Sequence, residues 1–260
     1  MEERVNLAQA NFRAYFESFT GLTEQQEKNF SIKFDHSLRV ASNCNTIAQK
    51  MEWTEEERGL ACMAGIFHDV GRFKQLLEYN TFNDAKSVDH AELALQEIEQ
   101  QGFLADLDEE QQVPVLEAIR YHNKRELPRG LSENVLRYAQ LLRDADKLDI
   151  LKVISDYYSN SRATPNHTLT WELPVGASVS PVVAKQVLGG NLVSKENVAN
   201  QMDIKIMQLS WVFDVNYKYS FQLLMEKRFL EKIYASLPKN DTVIQIYRRV
   251  KVFAENKIFG

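Results

Sequence analysis

The stretch GIFHDVGRFKQ, residues 65–75, places an imidazole directly beside a carboxylate at the end of an apolar run. His68 and Asp69 follow Ile66 and Phe67, and both polar side chains are costly to bury unless a partner compensates them. A metal ion satisfies both, because histidine offers a neutral nitrogen and a carboxylate offers two oxygens that can bridge two ions. The dipeptide alone also fits a simple hydrogen bond at a helix end, so the metal-site hypothesis depends on matching ligands elsewhere in the chain.

The composition predicts a folded and mainly helical protein. The chain has 260 residues, enough to bury a substantial core, and 44% of them are hydrophobic, whereas only 10 are glycine and 6 are proline. The formal net charge of -5 gives no electrostatic footprint for a nucleic-acid backbone, so we expect no nucleic-acid polymer as a partner. A small anionic substrate is compatible with this charge if local cations or metal ions hold it.

The sequence indicates a cytoplasmic protein. The first residues, MEERVNLAQANF, include acidic side chains and lack the apolar segment of a signal peptide. The longest uncharged apolar run, residues 59–67, is too short to cross a bilayer, so we expect no membrane partner. Cys44 and Cys62 both lie within helical patterns, and we expect two reduced thiols rather than a disulfide.

Five predicted helices each turn polar groups towards an apolar face. The 3.6-residue period of the apolar positions predicts helices in FDHSLRVASNCNTIAQKM, WTEEERGLACMAGIFHD, SVDHAELALQEIEQ, VPVLEAIRYHNKRELP and SENVLRYAQLLRDADKLDILKVISDYY. The inward polar side chains, in chain order, are His36, His68 with Asp69, His90, His122 and Asp146. A lone buried histidine is more often a core residue with a satisfied hydrogen bond. Four such histidines together with a carboxylate in mid-helix predict a metal site instead.

Local residues predict where these helices begin and end. Thr54 opens the helix that leads into the central stretch, as part of a capping box, and Gly71 is placed to end that helix. We expect Ser87 to cap the third helix and Pro114 to lie near the first position of the fourth. The small side chains around Gly65 favour close approach of a neighbouring helix.

The segment 159–201 differs from the rest of the chain. It contains three of the ten glycines and three of the six prolines, with many serines and threonines. We predict an irregular excursion over the helical core, for which a short strand or hairpin is one form, and we expect His167 there to be a surface residue. Helical patterns return over residues 202–260. We therefore interpret residues 1–260 as a single domain whose motif-bearing core spans about 30–160.

The order H…HD…H…H…D resembles the HD superfamily of metal-dependent phosphohydrolases. The motifs HDVGRF, TFNDAKSVDHA, YHNKRELP and LLRDADKLDIL make the chain similar to bacterial HD-domain hydrolases of uncharacterised activity. The resemblance implies an all-α helical bundle. In single-metal members the ligands would correspond to His36, His68, Asp69 and Asp146. In two-metal members further histidines bind a second ion, and they correspond to His90 and His122. The resemblance therefore implies a dinuclear site bridged by Asp69.

Two activities of this superfamily are disfavoured by the motifs. Cyclic-di-GMP phosphodiesterases carry a GYP signature at the place where this chain has YHNKRELP. Guanosine tetraphosphate hydrolases typically carry an acidic ED motif, which is not evident after His68 and Asp69. The resemblance therefore supports the superfamily chemistry without either of these substrates.

The predicted ligands indicate hydrolysis by a metal-activated hydroxide. A divalent ion lowers the pKa of bound water enough to make hydroxide available near neutral pH. We therefore expect cleavage of a phosphomonoester or phosphodiester bond in a small, nucleotide-like phosphorylated substrate. Nitrogen and oxygen ligands without thiolate suit Mn, Fe, Co, Ni, Mg or Zn, and the sequence does not choose among these metals or between one ion and two.

Several cations lie near the predicted ligands in sequence and are candidates to bind substrate phosphate: Arg72, Lys74, Arg143, Lys147 and Lys33. We favour Arg72 and Lys147, because each lies within three residues of a predicted ligand aspartate. Together with Asp69 they are the predicted catalytic residues. The alternative for each cation is a solvated charge or an ordinary ion pair.

Two other classes of function stay open at the level of sequence. One is a metal- or nucleotide-binding sensor module of the same fold without turnover, and the other is a helical scaffold with an incidental buried polar network. The substrate, the native metal and the formation of a homodimer are also left open.

Overall fold

The computed structural model describes residues 1–160, 171 and 173–260, and in this part of the chain it contains helices and no strand. The predicted all-α fold is confirmed. The α-helices are α1 Glu2–Glu17, α2 Glu24–Lys50, α3 Glu55–Phe67, α4 Gly71–Tyr79, α5 His90–Gln101, α6 Glu109–Tyr121, α7 Glu133–Ser159, α8 Pro181–Leu188, α9 Gln201–Ser210, α10 Lys218–Glu226, α11 Phe229–Ala235 and α12 Asp241–Phe259. Short 3-10 helices occupy Asp84–Lys86, Lys195–Asn197 and Trp211–Asp214. None of the described helices is both long enough and apolar enough to cross a membrane.

The chain divides into two compact units, residues 1–146 and residues 147–260, with the boundary inside α7. The first unit contains α1 to α6 and the first half of α7, and all six predicted metal ligands belong to it. The second unit contains the end of α7 and the helices that follow. The interpretation of residues 1–260 as one domain stays a prediction.

The core of the first unit is rich in packed aromatic rings. The rings of Phe12 and Phe34 stack with centroids 5.1 Å apart, and those of Phe67 and Phe103 stack at 4.7 Å. Phe12 also meets Phe67 edge to face at 6.2 Å, and both side chains are fully buried. Because Phe67 is the last residue of α3, this packing holds the end of the helix from which His68 projects.

Helices α2 and α3 approach each other closely at a glycine. A Cβ atom at Gly65 would lie 2.6 Å from the Cα of Ala41 and 2.7 Å from its backbone nitrogen, which leaves no room for a side chain. The predicted close approach is confirmed. It brings Nε2 of His36 on α2 within 3.3 Å of Nε2 of His68 at the end of α3.

Gly71 begins a helix, so the prediction that it ends one was wrong. Helix α3 ends at Phe67, and α4 starts at Gly71 after a short turn. A Cβ atom on Gly71 would lie 2.5 Å from the backbone nitrogen of Ala94 and 2.6 Å from the carbonyl oxygen of His90. The glycine therefore permits close packing of α4 against the start of α5, instead of a left-handed turn at a helix end.

The predicted helix starts are right for α3 and wrong for α5 and α6. Thr54 forms the expected capping box at α3. The N-terminal cap of α5 is Asp89, whose carboxylate accepts a hydrogen bond from the backbone amide of Ala91. Asp89 rather than Ser87 caps the helix because it lies directly before the first turn. Helix α6 starts one turn earlier than expected, behind Asp108 in another capping box, so that Pro114 lies inside it.

A short helix lies within the segment that the composition marked as irregular. Helix α8 begins at Pro181, whose fixed φ suits the first helical position, and it buries Val183 and Val187. The rest of the described part of 159–201 contains a 3-10 helix and no strand. Residues 161–170 and 172 lie outside the described residues. They include His167, so the expectation that His167 is a surface residue stays a prediction.

Candidate metal centre

The six predicted ligands lie close together although they come from five helical regions. His36 lies within α2 and Asp146 within α7, whereas His68 follows the last residue of α3, His90 begins α5 and His122 follows the last residue of α6. Asp69 comes next to His68 in sequence. The four histidines and Asp69 are buried, and the side chain of Asp146 is 16% exposed.

Asp69 lies at the centre of the cluster, and its two carboxylate oxygens face different histidines. Oδ2 lies 3.7 Å from Nε2 of His36 and 3.7 Å from Nε2 of His68. Oδ1 lies 3.4 Å from Nε2 of His90 and 3.8 Å from Nε2 of His122. One carboxylate thus separates two pairs of imidazole nitrogens.

Asp146 completes the group on the Oδ2 side. Its Oδ1 lies 3.1 Å from Nε2 of His36 and 3.9 Å from Nε2 of His68. On the other side, Nε2 of His90 and Nε2 of His122 are 2.9 Å apart. Ligands that share one ion at about 2.0–2.2 Å are separated from one another by roughly 3–4 Å, which is the range of these contacts.

Hydrogen bonds from the opposite ring nitrogens orient three of the histidines. Nδ1 of His68 lies 2.8 Å from the carbonyl oxygen of Gly65, and Nδ1 of His122 lies 2.7 Å from that of Ile119. Because a carbonyl oxygen only accepts, both Nδ1 atoms donate, and in the neutral imidazole Nε2 then carries a lone pair. Nδ1 of His90 donates in the same way to Oδ2 of Asp84, at 2.6 Å.

The donor set fits divalent cations. Nε2 of His68, His90 and His122 lies 3.7, 3.4 and 3.8 Å, respectively, from a carboxylate oxygen of Asp69, and none of these Nε2 atoms can donate a hydrogen bond to another while the rings are neutral. Buried nitrogen lone pairs without a donor are costly, and a cation removes that cost. The nitrogen and oxygen set also matches the preferences of divalent metals.

The pKa shifts favour the forms that bind metal. Burial lowers the pKa of His68, and it lowers that of His122 well below the ordinary value, so both rings stay neutral near pH 7. Burial alone would raise the pKa of Asp69, but the basic groups around it, Lys33 foremost, bring this pKa well below its usual range. Asp69 is therefore ionised whenever the histidines are neutral.

Residues 34–151 match the sequence model of the HD domain. This part of the chain belongs to the HD-domain superfamily. Proteins with this domain are generally metal-dependent phosphohydrolases, and the His/Asp groups described above are able to hold a metal ion. Comparison with the curated proteins and with the solved structures gave no match. The match concerns the domain as a whole, so the assignment of each ligand stays a prediction.

Arg72 lies at the edge of the HD-domain cluster, but protein groups hold its guanidinium. Its Nη1 donates to Oε1 of Gln75 and to the carbonyl oxygen of Phe82, both at 2.7 Å, and to Oδ1 of Asp84 at 2.9 Å. Its Nε lies 3.4 Å from Oδ1 of Asp69. These contacts tie the link that precedes α5 to the central carboxylate.

Two other predicted substrate cations in the HD domain, Lys74 and Arg143, have partners in the protein. Nζ of Lys74 lies 2.5 Å from Oε1 of the buried Glu97. Arg143 is buried and donates to four backbone carbonyls at and just after the end of α6, those of Tyr121, His122, Lys124 and Arg125. Arg143 thus holds the chain just after a predicted ligand, and the predicted phosphate contacts of both cations stay untested.

Lys147 follows the predicted ligand Asp146 in sequence but belongs to the second compact unit. Its Nζ lies 2.6 Å from Oδ2 of Asp214 in the same unit. Neighbouring residues on a helix point about 100° apart, so adjacency to a ligand does not by itself direct a side chain to the same place. The catalytic role predicted for Lys147 stays a prediction.

Sequence reasoning missed the role of Asp84. Its carboxylate accepts hydrogen bonds from His90, Arg72 and the side-chain amides of Gln75 and Asn123, so it joins four polar groups of the HD domain. The residue was visible within TFNDAKSVDHA, six positions before His90, but it lies in a link with no helical period that could have predicted its direction.

Proposed function

We propose that this HD domain is a divalent-metal-dependent phosphohydrolase that cleaves a phosphomonoester or phosphodiester bond of a small, nucleotide-like substrate. The observation that carries the proposal is the position of Asp69, whose two oxygens face separate pairs of histidine Nε2 atoms. The proposal assigns one ion to His36, His68, Asp69 and Asp146, and a second ion to Asp69, His90 and His122.

The chain's own residues prepare the centre for this chemistry. Bound divalent ions supply Lewis-acid activation of water and neutralise negative charge on the phosphoryl group. Asp69 would contribute one carboxylate oxygen to each ion, and the Nδ1 hydrogen bonds of His68 and His122 fix the orientation of their rings. Because these orientations exist before the substrate binds, little reorganisation is needed during the reaction.

The surroundings support a small anionic substrate. The partly exposed ring of Phe82 lies beside two cations, with Nζ of Lys33 at 5.5 Å and Cζ of Arg72 at 5.9 Å from its centroid. An aromatic face next to cations suits a molecule that has both a ring and a phosphate. The net charge of -5 argues against a nucleic-acid polymer, and we keep the cytoplasmic location as part of the proposal.

The direct test is metal-dependent turnover. Purified protein would be treated with chelator, reloaded with Mn or each of the other candidate metals, and assayed on generic phosphomonoesters, phosphodiesters and a panel of nucleotides. We expect turnover that requires metal and that is lost in His68→Ala. His167→Ala, which replaces the one histidine outside the predicted ligand set, is the matched control and should behave like the wild type.

The outcomes separate the competing functions. Tight binding of metal and nucleotide without product would favour the sensor module over the hydrolase. Less than one bound ion per chain, together with a melting temperature unchanged by chelator, would favour a scaffold with a buried polar network. Equal activity of wild type and His68→Ala would contradict the proposed centre.

A further inference from the structure

We propose that Lys33 binds the phosphoryl group of the substrate, a role that the local sequence pattern assigned first to Arg72 and Lys147. This inference rests on the proposed function, because it names the residue that would recognise the phosphate at the same centre. It follows from the position of the ammonium, from its exposure and from the partners of the competing cations.

The ammonium of Lys33 lies directly against the central carboxylate. Its Nζ is 2.7 Å from Oδ2 of Asp69, the oxygen that also faces Nε2 of His36 and Nε2 of His68. Lys33 is on α2, three residues before His36, so the two side chains project from the same face of the helix. The charge is therefore within a few Å of the proposed reaction centre.

Lys33 also connects this carboxylate with solvent. Its side chain is 21% exposed, whereas that of Asp69 is 4% exposed. Lysine carries a compact charge on a flexible stem of four carbons, so its ammonium can move by several Å without any change in the backbone. A phosphate that enters from solvent would thus meet a cation that is both reachable and adjustable.

The other candidate cations have fixed acceptors in the protein. Arg72 donates to two side chains and a carbonyl oxygen, and Arg143 donates to a series of backbone carbonyls. In the described part of the chain, the contacts of Lys33 are the carboxylate of Asp69 and the ring of Phe82. A ring face is a weak partner for a cation compared with a phosphate oxygen.

Charge balance then favours phosphate as a partner of Lys33. A carboxylate that ligates a divalent ion attracts an ammonium less strongly, since the ion neutralises it and repels the second positive charge. A phosphoryl oxygen near the same point offers a charge-assisted hydrogen bond, which is stronger than one between neutral groups. The flexible side chain of Lys33 would allow its ammonium to turn from the carboxylate to such an oxygen.

The test measures binding of inorganic phosphate to the metal-loaded protein by calorimetry, with metal content determined on the same samples. The variants are Lys33→Met, which removes the charge at similar length, and Lys33→Arg, which keeps it. Lys28→Met is the matched control on α2, because Lys28 is exposed and pairs with Glu24. We expect Lys33→Met to keep its metal and to bind phosphate about tenfold to a hundredfold more weakly.

Lys33→Arg should recover part of the phosphate affinity, and Lys28→Met should match the wild type. If Lys33→Met does not fold, Lys33→Gln replaces it, with the melting temperature of the loaded protein as the criterion. Unchanged phosphate affinity in the neutral variant would overturn the inference. Loss of metal from that variant would also overturn the inference, because Lys33 would then act on the metal ligands. Absence of phosphate binding by the metal-loaded wild type would overturn it as well.

Failure of the inference and failure of the proposed function give different results. If the wild type turns over substrate and Lys33→Met has an unchanged KM, the proposed role of Lys33 is refuted and the proposed hydrolase function stands. If phosphate binding depends on Lys33 but no phosphoester is turned over, the proposed role of Lys33 stands and the proposed hydrolase function is refuted.

Discussion

Nδ1 of His90 donates a 2.6 Å hydrogen bond to Oδ2 of Asp84, and Nε2 of the same ring lies 3.4 Å from the central carboxylate of Asp69. A carboxylate that accepts from the outer nitrogen of a histidine fixes the ring and increases the basicity of the inner nitrogen. Asp84 is itself held in place, since its Oδ1 accepts from Arg72 and from Gln75, each at 2.9 Å. The second proposed ion would therefore depend on a residue outside its proposed ligand set.

Asp84→Asn should weaken the second ion selectively. The amide keeps the size of the side chain but loses the charge that orients His90, so we expect about a tenfold to hundredfold loss of affinity for one of two ions. Calorimetric titration of chelator-treated protein with Mn would show this as a change in one binding phase. Asp106→Asn, which changes a partly exposed carboxylate paired with Arg4, should bind both ions normally. Two unchanged phases in Asp84→Asn would contradict the orienting role.

Gly65→Ala should destabilise the first unit strongly. The added methyl group would lie 2.6 Å from the Cα of Ala41, and backbone atoms cannot move aside as a flexible side chain can. We expect a loss of about 3 kcal/mol in the free energy of unfolding, at the upper end for overpacking, measured by urea denaturation. Gly21→Ala is the control, because nothing lies within 4 Å of its Cβ position and only its positive φ opposes a side chain, at a cost of about 1 kcal/mol. Equal losses in both variants would refute the close contact.

The chelator-treated protein should lose stability as the pH falls below about 6.5. An unfolded histidine takes up a proton near this pH, whereas His68 and His122 stay neutral in the fold because burial lowers the pKa of each. The unfolded state then binds more protons than the folded state. The contribution of the two neutral histidines to the free energy of unfolding is therefore fully present above about pH 6.5, and it decreases as the pH falls towards the lowered pKa values of the folded state. The decline should approach about 1.4 kcal/mol per pH unit for each ring.

This pH dependence can be measured by urea unfolding at about pH 7.5, 6.5 and 5.5 in the presence of chelator. His122→Asn should reduce the slope, since one buried ring is removed. Asp69 and Asp146 do not contribute in this range, because the pKa of each is lowered from a value already below about 4. A free energy of unfolding that is constant over this range would show that the histidines are not buried as neutral rings.

Neither cysteine should react readily in the folded protein. Cys44 is fully buried and burial raises its pKa well above the ordinary value, while burial raises the pKa of Cys62 to about 11. Thiolate is the reactive form, and very little of it exists near neutral pH in either position. Mass spectrometry should detect slow alkylation by iodoacetamide in buffer and complete alkylation of both thiols in urea. Rapid modification of Cys44 in buffer would contradict its position in the core.

The kinds of ligand and their helical faces could be predicted from the sequence because helical periodicity is a local property. His36 has the same helical spacing as the apolar positions of α2, and Asp146 lies in the apolar stripe of α7. The sequence therefore predicts that both side chains lie on the buried face of their helix. The same reasoning failed for Gly71, because its close neighbours belong to α5 and not to its own helix. Local signals also misplaced the cap of α5, where an aspartate nearer to the first turn was available.

The sequence by itself determined the all-α fold and the set of histidines and aspartates from which a centre can be built. Only the tertiary structure decided that the two oxygens of Asp69 face different histidine pairs, that Asp84 supports His90, and that Lys33, 36 positions away, lies against Asp69. The physical reason is that a side chain's direction follows from its own helix. Its distance from other side chains depends on how closely helices pack, and here glycine contacts at α3 and α4 set that distance.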